Sequence, residues 1–387
     1  MPESPIRKLV PYAEKAKKNG VKVFHLNIGQ PDIETPYSAI EAVKNSNIKV
    51  LAYSKSEGDI ELRNKICDYY SKINIEVNES QVIVTSGASE ALLFTIGSIM
   101  DPGDEIIIPE PFYANYNGFS VANGVNIIPI FSSIDNNFEL PKIQEFENLI
   151  SSNTKAILIC NPNNPTGYVY SYDEIKTLVE IVKKHNLFLI ADEVYREFTY
   201  DNVSHTSIMQ FDDIKQHTIV IDSVSKRYSM CGARIGCIIS KNSEFISTAM
   251  KFAQARLSPP TLAQIASTAA MDTAEDYFDN VINEYNNRRK TLVKGLNKIP
   301  GVKVSEPKGA FYCVVELPVD NSEHFAKWLL EEYSLDNETI MVAPAAGFYS
   351  TPNIGQNQVR IAYVLNQNDL ESCINILKNG LMEYLKQ

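Results

Sequence analysis

The sequence predicts an α/β fold, in which a large unit with a mainly parallel seven-stranded sheet between helices is joined to a smaller α+β unit. Three observations carry this expectation. Seven short β-rich runs alternate with helical stretches from about Tyr37 to Met271, the rhythm of a parallel sheet covered by helices on both faces. After Met271 that rhythm gives way to a long polar helical pattern, short strands and a last amphipathic helix. The chain has 387 residues, against roughly 150 for an average domain, which leaves room for both units.

In chain order, the first forty residues hold a helical piece (Pro11 to Asn19), an apolar run (Val21 to Ile28) and a proline-punctuated loop, which suit either unit. The β-rich runs are Gln81 to Thr85, Glu105 to Ile108, Val125 to Phe131, Lys155 to Cys160, Leu187 to Ala191, Thr218 to Ile221 and Ile235 to Ser240. The clearest crossover helix begins at Ser171. There Ser171 and Glu174 have the spacing of a capping box, and Ile175, Leu178, Val179 and Val182 recur on one face. Beyond Asn297, strands are expected near Val302 to Val304 and Ala310 to Leu317, and the closing helix carries Leu370, Cys373, Ile374, Leu377 and Leu381. We expect residues 36–274 to form the large unit and 1–35 with 275–387 the small one.

Composition narrows the functions. The net charge of −11 argues against a nucleic-acid surface, which needs clustered cations. No apolar run approaches the roughly 18 residues of a membrane span, and neither end reads as a secretory or lipidation signal, so a cytoplasmic protein is expected. The six cysteines include no Cys-x-x-Cys pair and the five histidines no His-Glu-x-x-His, so no metal site is expected. Small molecules are the expected partners.

In an open parallel sheet, ligands bind beyond the carboxyl ends of the strands. Four such ends are unusual here. Val84-Thr85-Ser86-Gly87-Ala88-Ser89-Glu90 runs small residues into an apolar helix, an arrangement that suits a phosphate at the helix N-terminus or a plain serine cap. Cys160-Asn161-Pro162-Asn163-Asn164-Pro165-Thr166-Gly167 is a rigid loop presenting side-chain amides, or a bare turn. Asp192 closes a strongly apolar run, where a carboxylate needs a hydrogen-bonding or cationic partner; a structural salt bridge is the plainer alternative. The fourth, Ser223-Val224-Ser225-Lys226, brings two hydroxyls and a lysine, with Arg234 eight positions on between two glycines.

One ligand accounts for all four ends. A phosphate suits the helix N-terminus, Ser223, Ser225 and Arg234; a protonated ring nitrogen suits Asp192; an aldehyde suits Lys226. That ligand is pyridoxal 5′-phosphate. A free lysine, with a pKa near 10.4, is neutral in only about one molecule in two thousand at pH 7, and imine formation changes that.

Taken together, Asn-Pro-x-Asn-Pro-Thr-Gly, Asp192-x-x-Tyr195 and Ser-x-Ser-Lys followed by Gly-x-Arg-x-Gly make the chain resemble a class I/II aminotransferase of fold type I along essentially its whole length. The resemblance implies that Lys226 bonds to the cofactor aldehyde and then shuttles the substrate proton, while Asp192 keeps the ring nitrogen protonated. It further implies that Asn164 and Tyr195 hydrogen-bond the ring 3-oxygen, that Tyr113 stacks on the ring, and that Ala88 and Ser89 lie at the phosphate. Tyr53 is implied to reach the phosphate of a neighbouring subunit, hence a homodimer with shared sites. Arg360 is implied to grip the substrate α-carboxylate, with Gly29 opposite it.

The donor is less defined. The reading is transfer of an α-amino group from an L-amino acid, aspartate first, to 2-oxoglutarate in a ping-pong cycle. Yet the lysine of some aspartate-preferring relatives is matched by Ser89, and the arginine others use for the distal carboxylate aligns nearest Gln254. Arg256 lies two positions on and suits that carboxylate or an interface salt bridge equally. The apolar loop Val342 to Tyr349 instead suits methionine or aromatic donors. A β/γ-lyase on the same site is a rival, since a fold does not fix a reaction. A non-catalytic regulator is disfavoured by the intact Lys226, Asp192 and Arg234.

Overall fold

The computed structural model describes residues 4–387; residues 1–3, assigned above to the small unit, lie outside them. Thirteen strands occur among the described residues. The first, β1 (Lys22–His25), precedes seven that share one sheet: β2 (Val82–Thr85), β3 (Glu105–Glu110), β4 (Asn126–Phe131), β5 (Thr154–Cys160), β6 (Phe188–Asp192), β7 (Thr218–Ser223) and β8 (Gly236–Ile239). The remainder are β9 (Lys303–Val304), β10 (Tyr312–Glu316), β11 (Glu338–Met341), β12 (Ala343–Pro344) and β13 (Gln358–Ala362).

All seven expected runs are strands of the seven-stranded sheet, in the order β2-β8-β7-β6-β5-β3-β4. Of its six neighbouring pairings, the four among β3 to β7 are parallel, and β8 runs antiparallel to both β2 and β7. The central strands β5, β6 and β7 are buried nearly end to end, which is why they read as continuous apolar runs rather than alternating ones. Because β8 reverses, its first residue meets the last residue of β7, and Ser223 pairs with Gly236.

The helix Tyr172–His185 starts at the expected capping box. The Ser171 N–H donates to Glu174 at 2.8 Å and the Glu174 N–H to the Ser171 hydroxyl at 3.3 Å. Its buried face comprises Ile175, Leu178, Val179, Ile181 and Val182, and Asn186 ends it in the left-handed region. The long polar pattern after Met271 is the helix Glu275–Leu296. The last helix, Gln367–Tyr384, buries Leu370, Cys373, Ile376, Leu377 and Leu381. Ile376 takes the core position expected of Ile374. Ile374 packs instead against Gly295, where a Cβ would come within 2.5 Å of its Cδ1.

The N-terminal segment was open to either unit. Here β1 pairs in parallel with β11, and the helix Val10–Lys18 packs on the helix Ser322–Glu331. A second sheet, in the order β12-β13-β10-β9, presents Arg360 on β13 and Tyr312 on β10. None of the helices among the described residues is long and apolar enough to cross a membrane.

Candidate active site

The carboxyl ends of β2, β5, β6 and β7 and the start of β8 meet at one end of the large sheet, and the second sheet faces them. Between them lies a cavity of about 600 Å³. Lys226, Asp192, Tyr195, Asn164, Ser223 and Ser225 border it on the large-sheet side. Ala88, Ser89, Tyr113, Arg234, Gly29 and Arg360 complete the predicted residues found there.

Lys226 lies on the single helical turn Val224–Arg227 that opens the loop leaving β7. Its Nζ donates to the Gly29 carbonyl at 2.7 Å, spanning from the large sheet to the N-terminal segment. Tyr195 and Phe311 present their rings 5.9 and 5.8 Å from the ammonium. The loop is held from behind by buried charges. Arg227 makes a bidentate pair with Asp222 at 2.9 and 2.7 Å and a third bond to Glu197 at 2.7 Å. Arg196 pairs with Glu193 at 2.7 Å, and the Tyr70 hydroxyl donates to Asp222 at 3.1 Å. Burial pushes Asp222 up, but Arg227 and Arg196 more than offset it and hold the carboxyl below its ordinary range.

Asp192 ends β6, 4% exposed. The salt-bridge alternative does not hold among the described residues. Its close partners are the Tyr116 hydroxyl, donating at 2.8 Å, and the Val194 N–H at 3.5 Å. Burial pushes its pKa up to about 6, and these two donors pull the other way. A buried carboxylate with neutral donors alone is suited to a cationic ligand group.

The end of the cavity expected to meet a phosphate is equally open. Ser86 makes no side-chain cap on the helix Gly87–Ile99, so the plain serine-cap alternative fails, and the first N–H groups of that helix have no intrahelical acceptor. Arg234 sits in the left-handed region, φ 56°, with its guanidinium over Gly87. A Cβ on Gly87 would lie 2.3 Å from Arg234 Nη2, so the glycine is what lets the cation reach the helix end. The Ser223 and Ser225 hydroxyls lie 2.8 Å apart beside it.

On the opposite wall, Arg360 is 1% exposed. It donates to Asn164 at 3.0 Å and to the Asn27 carbonyl, lies 4.6 and 4.9 Å from the Tyr312 and Phe348 rings, and keeps its Nε without a partner. Burial lowers its pKa, and the hydroxyls of Tyr312, Tyr195 and Tyr113 act against that. Tyr195 and Tyr312 share a hydrogen bond of 2.9 Å. Tyr113 stands edge-on to Tyr116, and its hydroxyl accepts from Asn115 at 2.7 Å.

Two predicted residues are elsewhere. Tyr53 is 79% exposed and does not border this cavity. Arg256 does not border it either. Its guanidinium donates to Glu90 at 2.6 Å and to the carbonyls of Ser56 and Val84, which leaves it engaged within its own chain. Sequence reasoning missed Tyr116, Tyr312, Cys231, Asn27 and Arg7. Tyr116 had a signal, one helical turn beyond Tyr113, and Cys231 lies five residues after Lys226 on the same segment; the others converge through long-range packing.

Comparison with known proteins gives the class to which this fold and site belong. The family described as Aminotransferase class I and II matches residues 21–377, and the chain belongs to it, as an aminotransferase of pyridoxal-phosphate fold type I. It is 32% identical over 384 residues to the aspartate aminotransferase of Pyrococcus horikoshii, covering 98% of this chain and 94% of that protein. It is likewise 32% identical to a (5-formylfuran-3-yl)methyl phosphate transaminase of Methanocaldococcus jannaschii, covering 95% and 94%. Among solved structures, the alanine aminotransferase of Pyrococcus furiosus superposes with a TM-score of 0.90 at 30% identity over 98% of both chains.

Proposed function

We propose that the cavity holds pyridoxal 5′-phosphate and that the protein moves the α-amino group of an L-amino acid, aspartate first, to 2-oxoglutarate in two half-reactions. The observation that carries this is the convergence of Lys226, Asp192 and Arg360 on one cavity, each with capacity left for a ligand. The residues suit the cofactor. The helix end at Gly87, Arg234 and the two serine hydroxyls match a phosphate, and the buried Asp192 matches a ring cation. When bound, the cofactor supplies an aldehyde and an electron-withdrawing ring that stabilises a carbanion.

The chain's own groups do the rest. Asp192, buried at the end of β6, would balance a proton on the ring nitrogen. Arg360 receives the substrate α-carboxylate at its free Nε edge, while Asn164 and Asn27 fix the guanidinium plane. Lys226 carries the mobile proton at Nζ. Its bond to Gly29 holds that atom on the substrate side of the cavity. The hydroxyl pair of Tyr195 and Tyr312 limits how far the aromatic wall can shift.

The supporting case for a homodimer is the exposed apolar stretch around Val50, Leu51 and Tyr53, 78%, 64% and 79% exposed. We assign residues 36–274 to the cofactor-binding unit and 1–35 with 275–387 to the smaller one. A neutral donor is a second reading, favoured by Ser89 in the place of a cation and by the engagement of Arg256 with Glu90.

The test mixes the cofactor-loaded protein with single amino acids and follows the cofactor absorbance. Transfer predicts one equivalent of oxo acid until a second oxo acid is added; ammonia release without one would favour a lyase. Lys226→Ala should slow the half-reaction by about 10²–10⁴-fold, and a variant that kept the wild-type spectrum and rate would sink the assignment.

A further inference from the structure

The residues around the cavity include four cations, Arg7, Lys226, Arg234 and Arg360, and one carboxylate, Asp192. The reading above employs three of the cations and the carboxylate. Arg7 has no part in it. It is exposed, it faces the cavity from the N-terminal segment, and its side chain has no hydrogen-bond or ion-pair partner among the described residues. Its charge acts on the Tyr113 hydroxyl across the cavity.

Arg7 does not hang on a loose end. The chain turns at Ser4, whose carbonyl accepts from the N–H groups of Arg7 and Lys8 at 3.1 and 3.0 Å. Pro5 is pressed onto Gly347, where a Cβ would lie 2.5 Å from the proline Cβ. Ile6 packs on the cluster of Ala114, Ala343, Ala345, Phe348 and Tyr349, and Lys8 pairs with Glu323. Asn27 completes the link. Fully buried, it donates through Nδ2 to the Ile6 carbonyl at 2.9 Å while its own carbonyl accepts from Arg360. The backbone that carries Arg7 is thus tied through one residue to the guanidinium that receives the α-carboxylate.

We propose that Arg7 is the specificity-determining residue of this site, recognising the second carboxylate of a dicarboxylic amino or oxo acid whose α-carboxylate is held by Arg360. The assignment rests on the aminotransferase reading of the cavity and deepens it. A planar guanidinium takes a carboxylate through two parallel hydrogen bonds, and nothing among the described residues competes for this one. It also resolves the missing anchors: Ser89 carries no charge and Arg256 is committed to Glu90, so the cation for an acidic side chain comes from the opposite wall.

The test compares wild-type, Arg7→Gln and Arg7→Lys holoprotein. Calorimetry with succinate and butyrate, which differ in one carboxylate and undergo no transfer, should give wild-type protein a preference for succinate of about tenfold or more. Arg7→Gln should lose that preference and Arg7→Lys should restore part of it. In the half-reaction, the ratio of kcat/KM for glutamate to that for alanine should fall by about tenfold or more in Arg7→Gln. A wild-type protein without preference for succinate, or a preference that survives Arg7→Gln, overturns the proposal. A protein that binds succinate through Arg7 and transfers no amino group would instead overturn the aminotransferase reading, because calorimetry does not depend on turnover.

Discussion

Replacing Asp192 with asparagine should stabilise the cofactor-free protein and weaken its hold on the cofactor. The carboxyl ordinarily titrates at 3.8, and burial in the folded protein raises it to about 6. Between those values the native state binds more protons than the unfolded chain, so stability falls as pH rises through the window and stays reduced above it. At roughly 1.4 kcal/mol per pH unit the reduction amounts to about 3 kcal/mol by pH 7. Asparagine does not titrate and keeps an oxygen for the Tyr116 hydroxyl, which donates to this site at 2.8 Å. The stability difference between variant and wild type should therefore be near zero at about pH 4 and approach, at most, about 3 kcal/mol in the variant's favour by about pH 7. Urea unfolding of both cofactor-free proteins across that range measures it. Arg227 and Arg196 hold the Asp222 carboxyl low in both proteins, so the window above about pH 4 reads Asp192. Parallel stability curves, or a variant less stable than wild type at pH 8, would refute the reasoning. With cofactor the sign reverses, because asparagine cannot balance a ring cation, and faster cofactor release should accompany the gain in apo stability.

Arg227→Met should cost about 3–5 kcal/mol in urea unfolding, because it strips a bidentate partner from the buried Asp222. The carboxyl of Asp222 is held low, so its contribution is present above about pH 4 and lost as pH falls further. The variant should accordingly show a weaker acid-induced loss than wild type, and an identical acid limb would contradict this. Gly29→Ala places a Cβ 1.7 Å from the Tyr312 hydroxyl oxygen and 2.3 Å from its Cζ, so the ring must move and its bond to Tyr195 must break. A displacement of that size should lower kcat/KM by about 10²-fold, and steady-state rates near wild type would show that the tyrosine pair is dispensable.

The parts of the fold that sequence made legible are those set by local rules. Apolar runs bounded by polar residues marked all seven strands of the large sheet, and a serine and a glutamate three apart marked the start of one helix. The direction of β8 was invisible, because Gly236–Ile239 is buried along its length and an apolar run carries no sense of polarity. The choice of Ile376 over Ile374 depended on Gly295, some eighty positions away, which only folding brings near. In the site, residues joined by short motifs were readable. What escaped were pairings across long separations: Tyr116 with Asp192, Tyr195 with Tyr312, and Arg256 with Glu90, each decided by how elements cross rather than by any local pattern.

The loop 224–235 bears both Lys226 and Arg234, and its two feet are joined. Ser223 and Gly236 face each other in the ladder between β7 and β8, and the Val224 N–H and the Ser223 hydroxyl both donate to the Ile235 carbonyl. The span between lysine and arginine is therefore set when the sheet forms, before any ligand arrives. Ordering of this segment, which elsewhere opposes association, has already been completed by folding. The loop behaves as a moulded socket rather than a strap, so departure and return of its occupant leave the surrounding architecture in place.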